Sequence, residues 1–367
     1  MLEAVRASRY GDVVAAARVL APELDSLEQE QLNDLMDAVW SAATGLYDNS
    51  QEEMDGYDLV VAIGDVLLKG GRSDPALRER MTEALFNKGL TLGALNRSEE
   101  AVSVYDEVVK RFGDATEPAA REQVAKALFN KGVRLGALNR SEEAVSVYDE
   151  VVKRFGDATE PALREQVAWA LVNKGMSLGA LNRSEESIAV YDEVVKRFGD
   201  ATGPALREPV AKALVNKGFR LGALNQSEEA VSVYDEVVKR FADATEPAVR
   251  ESVGAALNGT GFTFLCDAKR MWPMGEPAAR DLLLRAEENL RAALDRVPDG
   301  PVILGNLGYV VFLSGRVDEA RELLVRAIRL GGERLRQVEL DDAAIHPLPQ
   351  DETLKLLRNS FVRFRDL

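Results

Sequence analysis

The chain has 367 residues, 46% hydrophobic, 29% charged and only 6% aromatic, with a formal net charge of −15. This balance fits a folded chain rich in helix formers, and no apolar run approaches the 18 residues of a membrane span. The only cysteine, Cys266, excludes an internal disulfide and makes a reducing cytoplasm the expected location. The opening MLEAVRASRYGDVV has neither an apolar core nor a small-residue cleavage site, which agrees with that location. The acidity is uneven. Residues 1–74 hold 15 acidic and 5 basic residues, the unit Glu117–Thr159 holds seven of each, and the stretch from Cys266 holds 17 and 16. With no basic stripe, a nucleic-acid partner is not expected, and neither is a membrane.

Residues 1–73 read as an acidic helical N-terminal cap with a diverged leading repeat. Helices are expected over about 11–20, 27–47 and 52–69, the last stopped by Gly70 and Gly71. Residues 74–265 hold four near-identical 43-residue units and the first helix of a fifth. The marker Asn-Lys-Gly recurs at Asn87, Asn130, Asn173 and Asn216, and the fifth copy keeps only Gly261. A second marker, SEEAVSVYDEVVKRF, starts at Ser98, Ser141 and Ser227, with Ser187-Ile188-Ala189 replacing Ala-Val-Ser in the third copy. A fixed period of this size means a solenoid, whose units pack on their neighbours.

Each unit reads as two helices. In the second, Pro118 opens the first helix, where its missing N–H costs nothing. Val124, Ala127, Leu128, Leu135 and Leu138 share one face. Asn139 is expected to take the left-handed conformation that ends this helix, and Ser141 to cap the next. The second helix turns Ala144, Val147, Tyr148, Val151 and Val152 inward and ends at Gly156. Loops this short make the two helices antiparallel neighbours.

Gly132, Ala144 and Tyr148, at this spacing, resemble the small–small–aromatic signature of tetratricopeptide repeats. Asn306-Leu307-Gly308, Gly315, Ala320 and Ala327 resemble the more typical 34-residue form. The resemblance spans roughly residues 52–332 and implies an all-α, right-handed superhelix with helical caps at both ends. Two departures stand out: Lys131 and its equivalents replace the family's Leu, and Val151 replaces its Ala. Residues 266–332 read as an interrupted repeat, broken by Asp267–Pro277, followed by the 34-residue repeat. Residues 333–367 read as a C-terminal helical cap, with Leu354, Leu356, Leu357 and Phe361 inward and His346-Pro347-Leu348-Pro349 as an extended connector.

Nothing in the sequence assembles a catalytic group, a metal site or a cofactor site. His346 and Cys266 lie in separate elements, a zinc site needs about four ligands, and the glycines of Gly305–Gly315 lack a phosphate loop's context. The chain therefore reads as non-enzymatic, with no cofactor. Variation among the copies is concentrated on the first helices. One register reads Glu83, Lys126, Trp169, Lys212; a second Phe86, Phe129, Val172, Val215; a third Leu90, Val133, Met176, Phe219; a fourth Thr91, Arg134, Ser177, Arg220. The first three lie on one face, which the resemblance implies would line a concave groove. There Asn87, Asn130, Asn173 and Asn216 are constant, and each offers a donor and an acceptor. The Lys126/Asn130 and Lys212/Asn216 spacing is similar to the carboxylate clamp of peptide-binding tetratricopeptide domains.

The expectation is a groove that binds an extended peptide or tail of a partner protein. Asn87, Asn130, Asn173 and Asn216 would hold its backbone, with a positive lining from Lys126, Lys212, Arg134 and Arg220. Phe86, Phe129, Trp169, Met176 and Phe219 would supply apolar pockets. The plainer alternative is that recent duplication kept the Asn residues, and that they bond the neighbouring helix. Two other functions stay open: a scaffold that self-associates by stacking near-identical repeats, and a regulatory subunit of a separate enzyme. Trp272 is either an exposed contact or a plug.

Overall fold

In a computed structural model of the chain, residues 10–46, 50–72, 74–200, 203–271 and 276–344 are described. Among them every regular element is helical. Trp272, His346 and the part of the expected C-terminal cap from residue 345 onward, with Leu354, Leu356, Leu357 and Phe361, lie outside the described residues.

The repeat begins with a proline. Pro75, Pro118, Pro161, Pro204 and Pro301 each occupy the first turn of a helix, where a missing N–H removes no helical hydrogen bond. The helices in chain order are α1 (Tyr10–Leu20), α2 (Gln29–Leu46), α3 (Gln51–Lys69), α4 (Pro75–Ala94), α5 (Ser98–Phe112), α6 (Pro118–Ala137), α7 (Ser141–Phe155) and α8 (Pro161–Ala180). There follow α9 (Ser184–Phe198), α10 (Pro204–Ala223), α11 (Ser227–Arg240), α12 (Pro247–Met271), α13 (Glu276–Arg296), α14 (Pro301–Leu313) and α15 (Val317–Ala344). A short 3₁₀ turn, Ala21–Ser26, links α1 to α2.

The first helix of each copy stops at an asparagine. Asn96, Asn139, Asn182 and Asn225 have φ of 58–59°, a region few non-glycine residues enter. After α6 the Arg140 N–H donates to Leu135 O at 2.9 Å and the Asn139 N–H to Gly136 O at 3.0 Å, the paired bonds of a Schellman ending. The expected cap by Ser141 does not form. Asn139 takes the turn and only Arg140 is left between the helices, so Ser141 is already the first helical residue. Arg140 stands at the N-cap position without a side-chain cap bond. Its guanidinium grips Glu143 instead, with two N–O distances of 2.6 Å.

Within the near-identical pairs a glycine meets a tyrosine, whereas Gly261 and Gly308 of the later pairs meet Leu290 and Leu324. A Cβ on Gly132 would come within 2.5 Å of the Tyr148 ring, and one on Gly89 within 2.4 Å of Tyr105. The tyrosines are almost wholly buried, as are Val124, Leu128, Ala144 and Val151. Leu138, at the helix end, and Val152 are only partly covered.

The chain forms two units, Met1–Asn182 and Arg183–Leu367. In the first, α2 packs on α3, α4 on α5 and α6 on α7, while the first helices α4, α6 and α8 lie side by side. In the second, α10 packs on α11, α12 on α13 and α14 on α15, with α12 beside both α10 and α14. The interruption expected from Asp267 starts later, because α12 continues to Met271. The boundary expected between residues 332 and 333 appears as a break inside α15, where Gly332 has φ 64° and ψ −160°.

Asn139→Ala is expected to cost about 1 kcal/mol, the penalty of a left-handed residue with no compensating local bond. Asn139→Gly is expected to be neutral or slightly stabilising. Denaturant unfolding of the two variants against the parent checks this.

Candidate functional site

The first helices carry the candidate face because side chains three, four and seven apart line up on it. In the Leu90 register the side chains project outward: Leu90 is 43% exposed and Met176 54%, and in the second unit Phe219 is 43% exposed. Val133 is partly covered. The neighbouring register turns inward instead. Phe86 lies 6.2 Å, centroid to centroid, from Tyr105, and Phe129 the same distance from Tyr148. Val172 and Val215 are buried. Phe86 and Phe129 thus serve mainly as cover over the buried tyrosines, whereas Met176 and Phe219 face outward. Phe219 also touches Tyr234 edge-on, at 5.9 Å. Trp169 is half-buried. Leu90 was missed as a candidate although it shares a register with Met176 and Phe219.

Lys126 and Arg134, two cations of this face, have partners within the protein. Lys126 pairs with Glu122 one turn earlier at 2.6 Å. Arg134 reaches back to donate to the Gly93 carbonyl at 3.1 Å, which ties α6 to the end of α4. Arg220 lies near Tyr191 and favours its ionised form, against the burial that pushes that hydroxyl up. Lys212 is half-buried. The arrangement around Lys126 and Arg134 is closed by the protein's own acceptors, so neither presents a bare charge.

The constant asparagines are half-buried. Asn130 Nδ2 donates to Lys126 O and Asn173 Nδ2 to Trp169 O, both at 2.9 Å. Asn216 is hydrogen-bonded to the Tyr191 hydroxyl. Asn130 and Asn173 therefore each spend one amide hydrogen on their own helix. The adjacent lysine of the marker is a strap between copies. Lys88 pairs with Asp58 at 2.6 Å, Lys131 with Asp106 at 2.5 Å and Lys174 with Asp149 at 2.6 Å. In the second unit Lys217 pairs with Asp192 at 2.5 Å. A leucine could not make this link, which accounts for the departure at Lys131.

Glu83 stands in the Lys126 register. Burial pushes its carboxyl above the usual range; Arg80 and Lys126 oppose the shift and Glu79 adds to it. A folded-state pKa above the unfolded value favours the neutral form. Its contribution is then fully present below the ordinary value of 4.5 and is lost as pH rises through the folded value. Glu83→Gln is expected to raise the melting temperature at pH 7 and to leave it unchanged near pH 4, measured by thermal unfolding at both.

Among the described residues, no group of three or more His, Cys, Asp or Glu side chains is placed to hold a metal ion. Among them, too, no helix is long and apolar enough to cross a membrane. No curated protein matches the chain in sequence. Several solved structures are similar in fold. A tetratricopeptide repeat protein from Parabacteroides merdae is 10% identical, with 84% of this chain and 98% of that one covered and a TM-score of 0.48. BtubC (BKLC) from P. vanneervenii is 15% identical, with 66% and 90% covered and a TM-score of 0.48. MamA from Desulfovibrio magneticus RS-1 is 19% identical, with 58% and 96% covered and a TM-score of 0.37. Residues 86–159 and 279–333 match the tetratricopeptide repeat family model, and helix pairs of the same kind lie outside those segments. Those two segments carry the tetratricopeptide repeat, a helix-pair module whose general role is protein–protein interaction.

Proposed function

We propose that the exposed face of the first helices binds an extended segment of a partner protein. The observation that carries this reading is the pair of exposed large apolar side chains at one register of the first unit, Leu90 and Met176; Phe219 is exposed at the same register in the second unit. Half-buried amides stand beside them: Asn87, Asn130 and Asn173 in the first unit, Asn216 in the second. In this reading the exposed apolar side chains supply the affinity and the amides orient the segment's backbone. A carboxylate on the partner would have to displace Glu122 from Lys126, so acidic groups contribute less than the apolar contacts. The single cysteine is the support for placing this activity in the cytoplasm.

The test is to pan a displayed peptide library against the full chain and measure affinities of the enriched peptides. Leu90→Ser with Met176→Ser should weaken them about tenfold or more, since such anchors dominate an interface, with little change in melting temperature because both side chains are already exposed. Asn130→Ala with Asn173→Ala should weaken binding further. Failure to enrich any peptide, or binding that ignores the Leu90 and Met176 changes, sinks the reading. The same exposed row suits a second copy of the chain as well. A mass by light scattering that doubles with concentration, and stays at the monomer value in the Leu90/Met176 variant, would favour self-association instead.

A further inference from the structure

One arginine near the start of the first helix has the same kind of partner in two of the intact copies. Arg121 pairs with Glu160 at 2.6 Å in the first unit, and Arg207 with Glu246 at 2.7 Å in the second. Both glutamates stand just before the proline that opens the next first helix, and Glu160 is the N-cap residue of α8. Arg250 occupies the same point of the period in the decayed fifth copy. The next first helix there is α14, whose N-cap is Gly300, and the preceding Asp299 is held by Arg326 at 2.7 Å. The N-cap that follows Arg164 is also a glycine, Gly203, but Arg164 interacts elsewhere within the protein.

Arg250 is exposed, and among the described residues its side chain has neither an ion pair nor a hydrogen bond. It lines a cleft of about 600 Å³, larger than the equivalent cleft of about 230 Å³ beside Arg121. Arg296 lines the same cleft and donates from Nη1 to Ala242 O at 3.0 Å, which uses one of its five N–H donors. Asp295 lines it too and, among the described residues, pairs with neither arginine. Two guanidinium groups against one carboxylate give the lining a net positive charge. A guanidinium meets a carboxylate through two parallel N–H···O bonds, and an apolar floor of Val238 and Leu257 strengthens such a pair by lowering the local dielectric.

We infer that Arg250, together with Arg296 of the same cleft, binds an acidic side chain of a partner polypeptide. The incoming carboxylate stands to Arg250 as Glu160 stands to Arg121 and Glu246 to Arg207. Glu160 is held in extended backbone, φ −64° and ψ 128°, and is followed by a proline. The protein's own linkers therefore show the kind of segment this arginine takes, and the fifth copy carries the arginine without the glutamate. The site uses neither Leu90 nor Met176 and does not depend on the reading of that face.

Ligand-observed NMR titration of the full chain with acetyl-Ala-Thr-Glu-Pro-Ala-amide, the sequence of residues 158–162, tests this. Saturable binding is expected. A peptide with glutamine in place of the glutamate should bind about tenfold more weakly or worse, as loss of a charge-assisted hydrogen bond predicts. Arg250→Ala should weaken binding by a similar factor. Gly300→Glu, which restores the N-cap carboxylate, should do so as well by filling the place from within. A Cβ at Gly300 would come within 2.7 Å of Ile303; if that variant fails to fold, Arg250→Ala decides alone, since its side chain is exposed. Leu90→Ser with Met176→Ser should leave binding unchanged. No saturable binding, equal binding of the glutamine peptide, or indifference to Arg250→Ala overturns the inference. So does displacement of the peptide by an equal concentration of acetate, which would make the cleft a site for any small anion.

Discussion

The contact on which the near-identical helix pairs depend is that between a glycine of the first helix and the tyrosine ring of the second. At Gly89, Gly132 and Gly218 a Cβ would fall 2.3–2.5 Å from the ring of Tyr105, Tyr148 or Tyr234. Only a residue without a side chain lets the ring lie flat against the helix backbone, and overpacking there costs stability. Tyr234 is held on its other side by Gly259 of the following copy, where a Cβ would fall 2.5 Å away. One ring therefore joins two successive copies, and burial accounts for its raised hydroxyl pKa.

Around that contact the copies are tied by polar straps instead of further apolar bulk. The marker lysines reach the aspartates of the preceding second helix. Arg121 pairs with Glu160 at 2.6 Å, and Arg207 with Glu246 at 2.7 Å. Such partly exposed pairs each contribute little, but they recur at one spacing and so define the register in which neighbours stack. The same straps consume charge that would otherwise face a ligand, and Arg134 is the clearest case, because its guanidinium ends on Gly93.

Much of the architecture was legible before any coordinates. The 43-residue period, the prolines that open helices and the asparagines that close them all act locally, through backbone geometry that a few adjacent residues decide. Asn139 took the left-handed turn as its position predicts, while Ser141 did not become a cap, because the Schellman turn left one residue too few. The face that varies among copies was also visible. Which of its side chains point outward was not, since Phe129 and Val133 are only four residues apart and their burial depends on where Tyr148 lies.

The sequence by itself determined that the chain is a stack of helix pairs, because a repeat that cannot bury its apolar stripe alone must pack on its copy. It also determined where each pair turns. The tertiary structure decided how the polar residues are used. Lys126, Arg134, Asn130 and Asn173 look alike as candidates in the sequence, yet each finds a partner within the protein, and such partners are set by distances between helices. The larger cleft beside Leu257 was likewise decided there, since the side chains that line it come from separate helices.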